Sequence, residues 1–377
     1  MNAVMVPTSS ELATADSDAA VPQYQTAVLA DLRRSKIAYA TRHLRITDVA
    51  SLLVAGITPR AGDILLARVE RLGQHSGLQL QSGRRATLFV GDTIIVAYGA
   101  RYAPDQFEAH VPPQIGACDL IAAGGIAAAL VSSHRRMRAP TQLQALGILA
   151  DAQGHPINLR RYALGQCGPQ RNSPPLLVVA GTAMNAGKTT AASHLIHGLR
   201  AAGLCVGAAK LTGTGSCGDT ALMSDAGAEH VLDFTDAGFA STYLVDADEL
   251  CRASSRLLDH LAQRGAQVIV AELADGLLQR ETAALLRNPA FCRRVSGVVF
   301  ASQEAMGAVG GVEWLERHGL PVLALTGLMT AAPLASREAA GATGLPVLGL
   351  DALQDPVSAA ALLREAGTRV RLTSVGD

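Results

Sequence analysis

The sequence predicts an α/β chain of two unlike parts: a smaller β-rich (α+β) N-terminal part, and a C-terminal part built on a doubly wound, mostly parallel sheet. Three observations predict it. After about residue 175 the apolar residues come in short unbroken runs, at 176–180, 206–209, 268–271, 298–301, 322–325 and 347–350, with helix-length segments between most of them. Unbroken rather than alternating runs fit strands covered on both faces, and helical crossovers make their pairing parallel. Between about 25 and 170 the texture is strand-rich and mixed, and Ser82-Gly83, Val90-Gly91-Asp92 and Tyr98-Gly99 punctuate it at turn spacing. That spacing fits a small antiparallel barrel or curled sheet. Finally, a glycine-bracketed loop ending in Lys-Thr follows the first unbroken run.

Composition sets the bounds. A chain of 377 residues with 49% hydrophobic residues holds two domains with a core each. Aromatic residues are only 3%, which suits α/β layers better than an aromatic-cored sandwich. The 32 basic and 32 acidic residues cancel, so no nucleic-acid footprint or polybasic membrane anchor is present. No apolar run approaches the roughly 18 residues of a membrane span. The start of the chain lacks the basic and apolar regions of a signal peptide. A cytoplasmic protein with no membrane or nucleic-acid partner is expected. The six cysteines, Cys118, Cys167, Cys205, Cys217, Cys251 and Cys292, form no C-x-x-C pair and read as reduced thiols. The ten histidines show no H-x-x-x-H or H-E-x-x-H spacing.

In chain order, residues 1–24 are polar and Ala-rich and read as a flexible tail. Residues 25–170 form the first unit, for substrate recognition or dimerisation. In it "TAVLADLRRSKIAYATRHL" reads as a helix and then a strand, and "CDLIAAGGIAAALVSSHRRM" as a strand, a Gly-Gly break and a helix. That Gly-Gly lacks the G-x-G-x-x-G of a dinucleotide site. The stretch 98–112, "YGARYAPDQFEAHVP", gathers Arg101, Tyr102, Asp105, Gln106, Phe107 and Glu108, as a specificity pocket or an interface hairpin. The proline-rich "CGPQRNSPP" is the linker, and residues 171–377 form the second unit.

The loop between Gly181 and Thr190, "GTAMNAGKTT", sits where a strand ends and a helix begins. Open amides and the helix dipole favour an anion there. Gly181 and Gly187 let the backbone approach phosphate oxygens, Lys188 reaches the β/γ-phosphates, and the Thr189 hydroxyl helps to hold Mg²⁺. Five residues separate the two glycines, where the common phosphate loop has four.

This longer spacing resembles the loop of dethiobiotin synthetase, G-T-x-x-x-x-G-K-T, and so the P-loop proteins that include the molybdopterin-guanine dinucleotide adapter protein. Three further stretches extend the resemblance in the same order. "VGAAKLTGTG" supplies Lys210, Thr212, Gly213 and Thr214; "GDTALMSDAG" supplies Asp219, with Asp225 in reserve; "VIVAELADG" supplies Glu272, Asp275 and Gly276. The resemblance implies a P-loop fold binding Mg²⁺ and ATP, with Gly181, Thr182, Asn185, Ala186, Gly187, Lys188, Thr189 and Thr190 around the phosphates. It implies that Lys188 and Lys210 stabilise the transferring phosphoryl group, and that Thr189, Asp219 and Glu272 hold the metal. Thr212, Gly213 and Thr214 would face the substrate. Asp219 also reads as a helix cap. In "ADGLLQRET", Asp275 reads as a group that orients or deprotonates the acceptor and Arg280 as an anion clamp, or the stretch is an ordinary polar turn. "HVLDFTDAGFASTYL" lines the substrate site or is only strand and turn.

The departures are as informative. Dethiobiotin synthetase has E-G-x-G-G where this chain has E-L-A-D-G, so the acceptor region differs. The first 170 residues have no counterpart in that enzyme, and the two-unit plan resembles a bacterial P-loop family of unassigned function. The loop has Thr182 and Ala183 where the partition ATPases carry an early lysine, and the chain has no N-K-x-D or T-K-x-D motif, which favours ATP over GTP. The expectation is a Mg²⁺-ATP-dependent homodimeric enzyme that phosphorylates a small-molecule carboxylate, as an amide- or C–N-bond-forming ligase. A small-molecule kinase, or an adapter or switch NTPase for cofactor assembly, are the alternatives.

Overall fold

A computed structural model describes residues 32–168 and 173–373; the expected tail, the start of the first expected helix (26–31) and the middle of the linker (169–172) lie outside them. The N-terminal half closes a small barrel from five strands, β1 (Ile64–Arg71), β2 (Thr93–Tyr98), β3 (Ala117–Ala122), β4 (Ile126–Ser133) and β5 (Thr141–Ala150). The ring runs β2-β1-β5-β3-β4 and returns to β2. All junctions are antiparallel except the closing one, where Ile126 and Ala127 pair in parallel with Ala97 and Tyr98. Alternate residues of each strand feed separate apolar clusters: Leu65, Ala67 and Val69 join one, Ile64 and Leu66 the other.

In this half one element departs from the sequence reading. The Ala-rich stretch after Gly124-Gly125, expected as a helix, is strand β4. It pairs with β3, β2 and the strand Phe107–His110, and three sets of ladder bonds outweigh the helix preference of its alanines.

The C-terminal half is a six-stranded sheet of β6 (Leu176–Gly181), β7 (Val206–Lys210), β8 (His230–Asp233), β9 (Val268–Glu272), β10 (Val295–Ala301) and β11 (Val322–Thr326). Its order is β8-β7-β9-β6-β10-β11 and every pairing is parallel. Val178 and Ala180 pack on one face with the helices Ala247–Gln263 and Ala305–Arg317, Leu177 and Val179 on the other with Lys188–Ala201. Both faces are therefore covered, as the unbroken runs require. The expected run at 347–350 is not a strand: Val347 makes a single bridge to Leu325, and Leu350 starts a helix. The register puts Asp233, Lys210, Glu272 and Val179 in one row across the carboxyl ends of β8, β7, β9 and β6. No helix among the described residues is long and apolar enough to cross a membrane. All six cysteines are free thiols.

Polar groups weld the barrel to the sheet. Arg42 donates to Asp236 at 2.7 Å and to Thr235, lies 3.4 Å from Asp233, and stacks over the Tyr39 ring. Tyr39 donates to Asp233 at 2.9 Å, and His43 lies 2.7 Å from Asp236. The stretch 230–244 thus spends its carboxylates on the barrel. Gly124 explains the Gly-Gly break: a Cβ there would lie 1.9 Å from the Gly215 carbonyl oxygen. The barrel turn therefore seats directly on the loop after β7.

Removing one member of a buried ion network strands the others, at a cost of about 3–5 kcal/mol. Arg42→Met is expected to lower unfolding free energy by that order in a urea titration, whereas Asp236→Asn, which leaves Arg42 with Asp233 and Thr235, costs less.

Candidate functional site at the carboxyl ends of the parallel strands

The connection after β6 runs to one side of the sheet, to β7, and the connection after its neighbour β9 runs to the other, to β10, so the strand order switches between β6 and β9. Crevices at such points are where open α/β sheets bind ligands. The loop of residues 182–187 lies there and leads into the helix Lys188–Ala201. Gly187 occupies the cap position with φ 96°, and no side chain caps the helix. A left-handed turn at that point suits glycine, and the first amides of the helix keep no side-chain acceptor.

Lys188 is buried and folds back on the loops. Its Nζ donates to the carbonyls of Ala183 at 2.7 Å and Asp275 at 2.6 Å. Burial pulls its pKa below the usual lysine range; Glu272 and Asp275 oppose that shift, and Lys210 adds to it. Thr189 donates to Glu272 Oε1 at 2.9 Å, while Glu272 Oε2 is buried with no partner. A hydroxyl beside an orphaned carboxylate oxygen fits Mg²⁺, which takes hard oxygen ligands and draws the remainder from phosphates and water. Among the described residues no cluster of three or more His, Cys, Asp or Glu offers a metal site made of protein groups alone.

Lys210 pairs with Asp219. The cap of the helix Cys217–Asp225 is Ser216, so Asp219 serves the lysine rather than the helix end. Asp275 has φ 61°, which turns its carbonyl to Lys188. Burial lifts its carboxyl to about 6, against the pull of Lys188, Lys210 and Arg101.

These groups meet around one cavity of about 460 Å³. Asn185, Gly187, Lys188, Thr189, Thr190, Lys210, Gly213, Thr214, Asp219, Glu272 and Asp275 line it, and so do Arg101, Tyr102 and Ala103 of the barrel. Gly181, Thr182 and Ala186 are not on the cavity wall; Gly181 and Ala186 are buried and Thr182 is half-buried. Two expected substrate residues are placed elsewhere. Thr212 is buried in a clasp, accepting from the Ala274 amide at 2.8 Å and 3.3 Å from the Thr282 hydroxyl. Arg280 starts a helix with its side chain 68% exposed beside Glu281, outside the cavity lining, because Gln279 and not Arg280 turns inward.

The stretch 98–112, left open by the sequence, is a hairpin beside the cavity. It forms a hairpin of Arg101–Tyr102 against Phe107–His110, and it also lines the cavity. Met184, Ser216 and Ala274, also on the wall, carried no signal beyond lying in or next to the motif stretches, and Leu328, the last of the wall residues, carried none at all.

A charge-assisted ligand bond is worth about 1.5–3 kcal/mol. Glu272→Gln is therefore expected to weaken Mg²⁺-dependent nucleotide binding roughly tenfold or more by calorimetry, with little change in metal-free binding. Asp275→Asn keeps a residue that tolerates the left-handed turn. The native carboxyl is protonated in the folded chain up to about pH 6, whereas it ionises near 3.8 when unfolded, so folding loses stability as pH rises between them. The variant is expected to match wild type near pH 4 and to exceed it by about 1–3 kcal/mol above pH 7, read from chemical denaturation at both pH values.

No family model matches the chain, and no curated protein does. Among solved structures the chain is similar to the signal recognition particle 54 kDa protein from Aeropyrum pernix K1 in complex with GDP. Identity is 20%, TM-score 0.35, and the match covers 54% of this chain and 50% of that one, half of its length. The signal recognition particle receptor FtsY from Elizabethkingia anophelis, in complex with GDP, matches at 16% identity and TM-score 0.37, over 54% of this chain and 67% of that one. The cell division protein FtsY from Thermotoga maritima matches at 16% identity and TM-score 0.34, over 52% and 69%. The parallel sheet, the glycine loop on β6, the lysine at the head of its helix and the threonine–glutamate pair make the C-terminal half a P-loop nucleotide-binding fold.

Proposed function

We propose that the protein is a Mg²⁺-dependent, ATP-using enzyme that transfers a phosphoryl group to a small-molecule acceptor. The acceptor is a carboxylate that an amine then attacks, in the manner of dethiobiotin synthetase. The observation that carries this reading is the shared cavity: a phosphate loop, two lysines and an elevated carboxyl face one volume with barrel residues.

In this reading Lys188 exchanges its two carbonyl partners for phosphate oxygens, and the open amides after Gly187 hold the others. Thr189 and Glu272 hold Mg²⁺, which when bound neutralises charge on the phosphates. Lys210, kept in place by Asp219, adds positive charge where the transferring group gathers negative charge. The acceptor carboxylate oxygen attacks the terminal phosphorus and ADP leaves. An amine then attacks the acyl carbon, phosphate leaves, and Asp275 accepts the proton that the amine loses. A carboxyl near 6 is ionised at neutral pH, as a base must be, and close enough to neutrality to be an effective one. The absence of N-K-x-D and T-K-x-D stretches supports adenine as the base.

Purified protein with Mg²⁺ and ATP is expected to form ADP negligibly until a panel of small carboxylates, with and without amines, includes the acceptor. Phosphate release that requires the amine identifies a ligase, and a stable phosphorylated product a kinase. Turnover that only another protein stimulates would sink the enzyme reading, and Lys188→Ala is expected to abolish turnover in every case.

A further inference from the structure

The barrel contributes to the nucleotide cavity a cation that forms no ion pair among the described residues. Arg101 is 7% exposed and lines the cavity with Lys188, Lys210, Glu272 and Asp275. Its Nη2 donates to Gln106 at 2.7 Å, its Nη1 lies 3.4 Å from His75 Nε2, and its Nε is buried with no partner. It makes no ion pair among the described residues. His75 cannot serve as a counterion, and burial with two nearby arginines keeps it neutral down to about pH 4. A buried guanidinium with neutral partners is costly. That cost is met in proteins where an anion arrives.

The hairpin that carries Arg101 is seated on the phosphate loop itself. Its turn residue Asp105 accepts from Asn185 Nδ2 at 2.6 Å, and Asn185 holds φ 62° within the loop. The carboxylate whose charge acts on Arg101 is Asp275, the residue whose carbonyl holds Lys188 Nζ. Arg101 therefore belongs to the end of the cavity reached by the P-loop lysine, where the β- and γ-phosphates bind, and its planar fork suits phosphate oxygens.

We infer that Arg101 grips the terminal phosphate of the bound nucleoside triphosphate, so that the barrel completes in cis a site the P-loop half does not complete alone. This rests on the reading that the cavity takes a nucleoside triphosphate. Arginines in this role accelerate phosphoryl transfer by about 10³–10⁵-fold. The arrangement also makes the barrel a sensor of the third phosphate, because a diphosphate leaves Arg101 unpaired.

The test is calorimetric titration of the full chain and its Arg101→Gln and Arg101→Lys variants with Mg²⁺ and ADP, Mg²⁺ and a non-hydrolysable ATP analogue, and the guanine counterparts. Arg101→Gln is expected to weaken the triphosphate analogue roughly tenfold or more and the diphosphate less than about twofold. Arg101→Lys is expected to recover part of the loss. The ligand-free melting temperature of Arg101→Gln is expected at or above wild type, since an unpaired buried charge is removed; should that variant not fold, Arg101→Lys carries the comparison. Equal losses for both nucleotides, or no loss, overturn the role of Arg101 alone. Wild-type protein that binds neither adenine nor guanine nucleotides overturns the nucleotide reading and this inference with it.

Discussion

A buried ammonium at the head of a helix, held only by main-chain carbonyls, is the constraint that organises this protein. Among the described residues no carboxylate is bonded to Lys188; Ala183 and Asp275 supply oxygens from two different loops. Such a group stays charged only if dipoles converge on it from several directions. A parallel sheet provides that convergence, because all its strands deliver their following loops to one edge. The row of Asp233, Lys210 and Glu272 at that edge is the same geometry seen from the strands. Left-handed turns at Asn185, Gly187 and Asp275 bring the loops close enough to meet.

The second dependence is on the barrel. The site would be an open edge if the barrel were free to swing away. Arg42, Tyr39 and His43 spend charge and hydrogen bonds on Asp233, Thr235 and Asp236, at and just beyond the end of β8, and Gly124 lets the backbones touch at Gly215. Fixing these contacts places the hairpin of Arg101 and Tyr102 over the phosphate loop, where Asp105 joins Asn185. Stability at the interface and chemistry in the cavity are therefore coupled through residues 213–216, which touch the barrel through Gly215 and Ser216 and line the cavity through Gly213, Thr214 and Ser216.

Much of this could be read from the chain. The unbroken apolar runs at β6, β7, β9, β10 and β11 marked buried parallel strands, because burial on both faces removes alternation. Glu272 stood out because the resemblance to dethiobiotin synthetase puts a metal ligand at the end of that run. The stretch 98–112 stood out because it mixes charge and aromatics between strands. Misreadings had local causes. The alanines of β4 favour a helix in isolation, and only its three strand partners reverse that. Arg280 looked like a clamp because it is a cation in the same short stretch as Asp275, yet it starts a helix with its side chain 68% exposed.

By itself the sequence determined the strand–loop–helix around Lys188, the carboxylate at Glu272 and the existence of two unlike parts, since these follow from periodicity and from residues adjacent in the chain. Only the tertiary structure decided that Arg101 shares a cavity with Lys188, that Asp219 is committed to Lys210, and that Asp233 and Asp236 serve the barrel. Each of those last relations joins residues brought together by strand order and domain packing, and no local pattern of side chains encodes the order in which strands lie side by side.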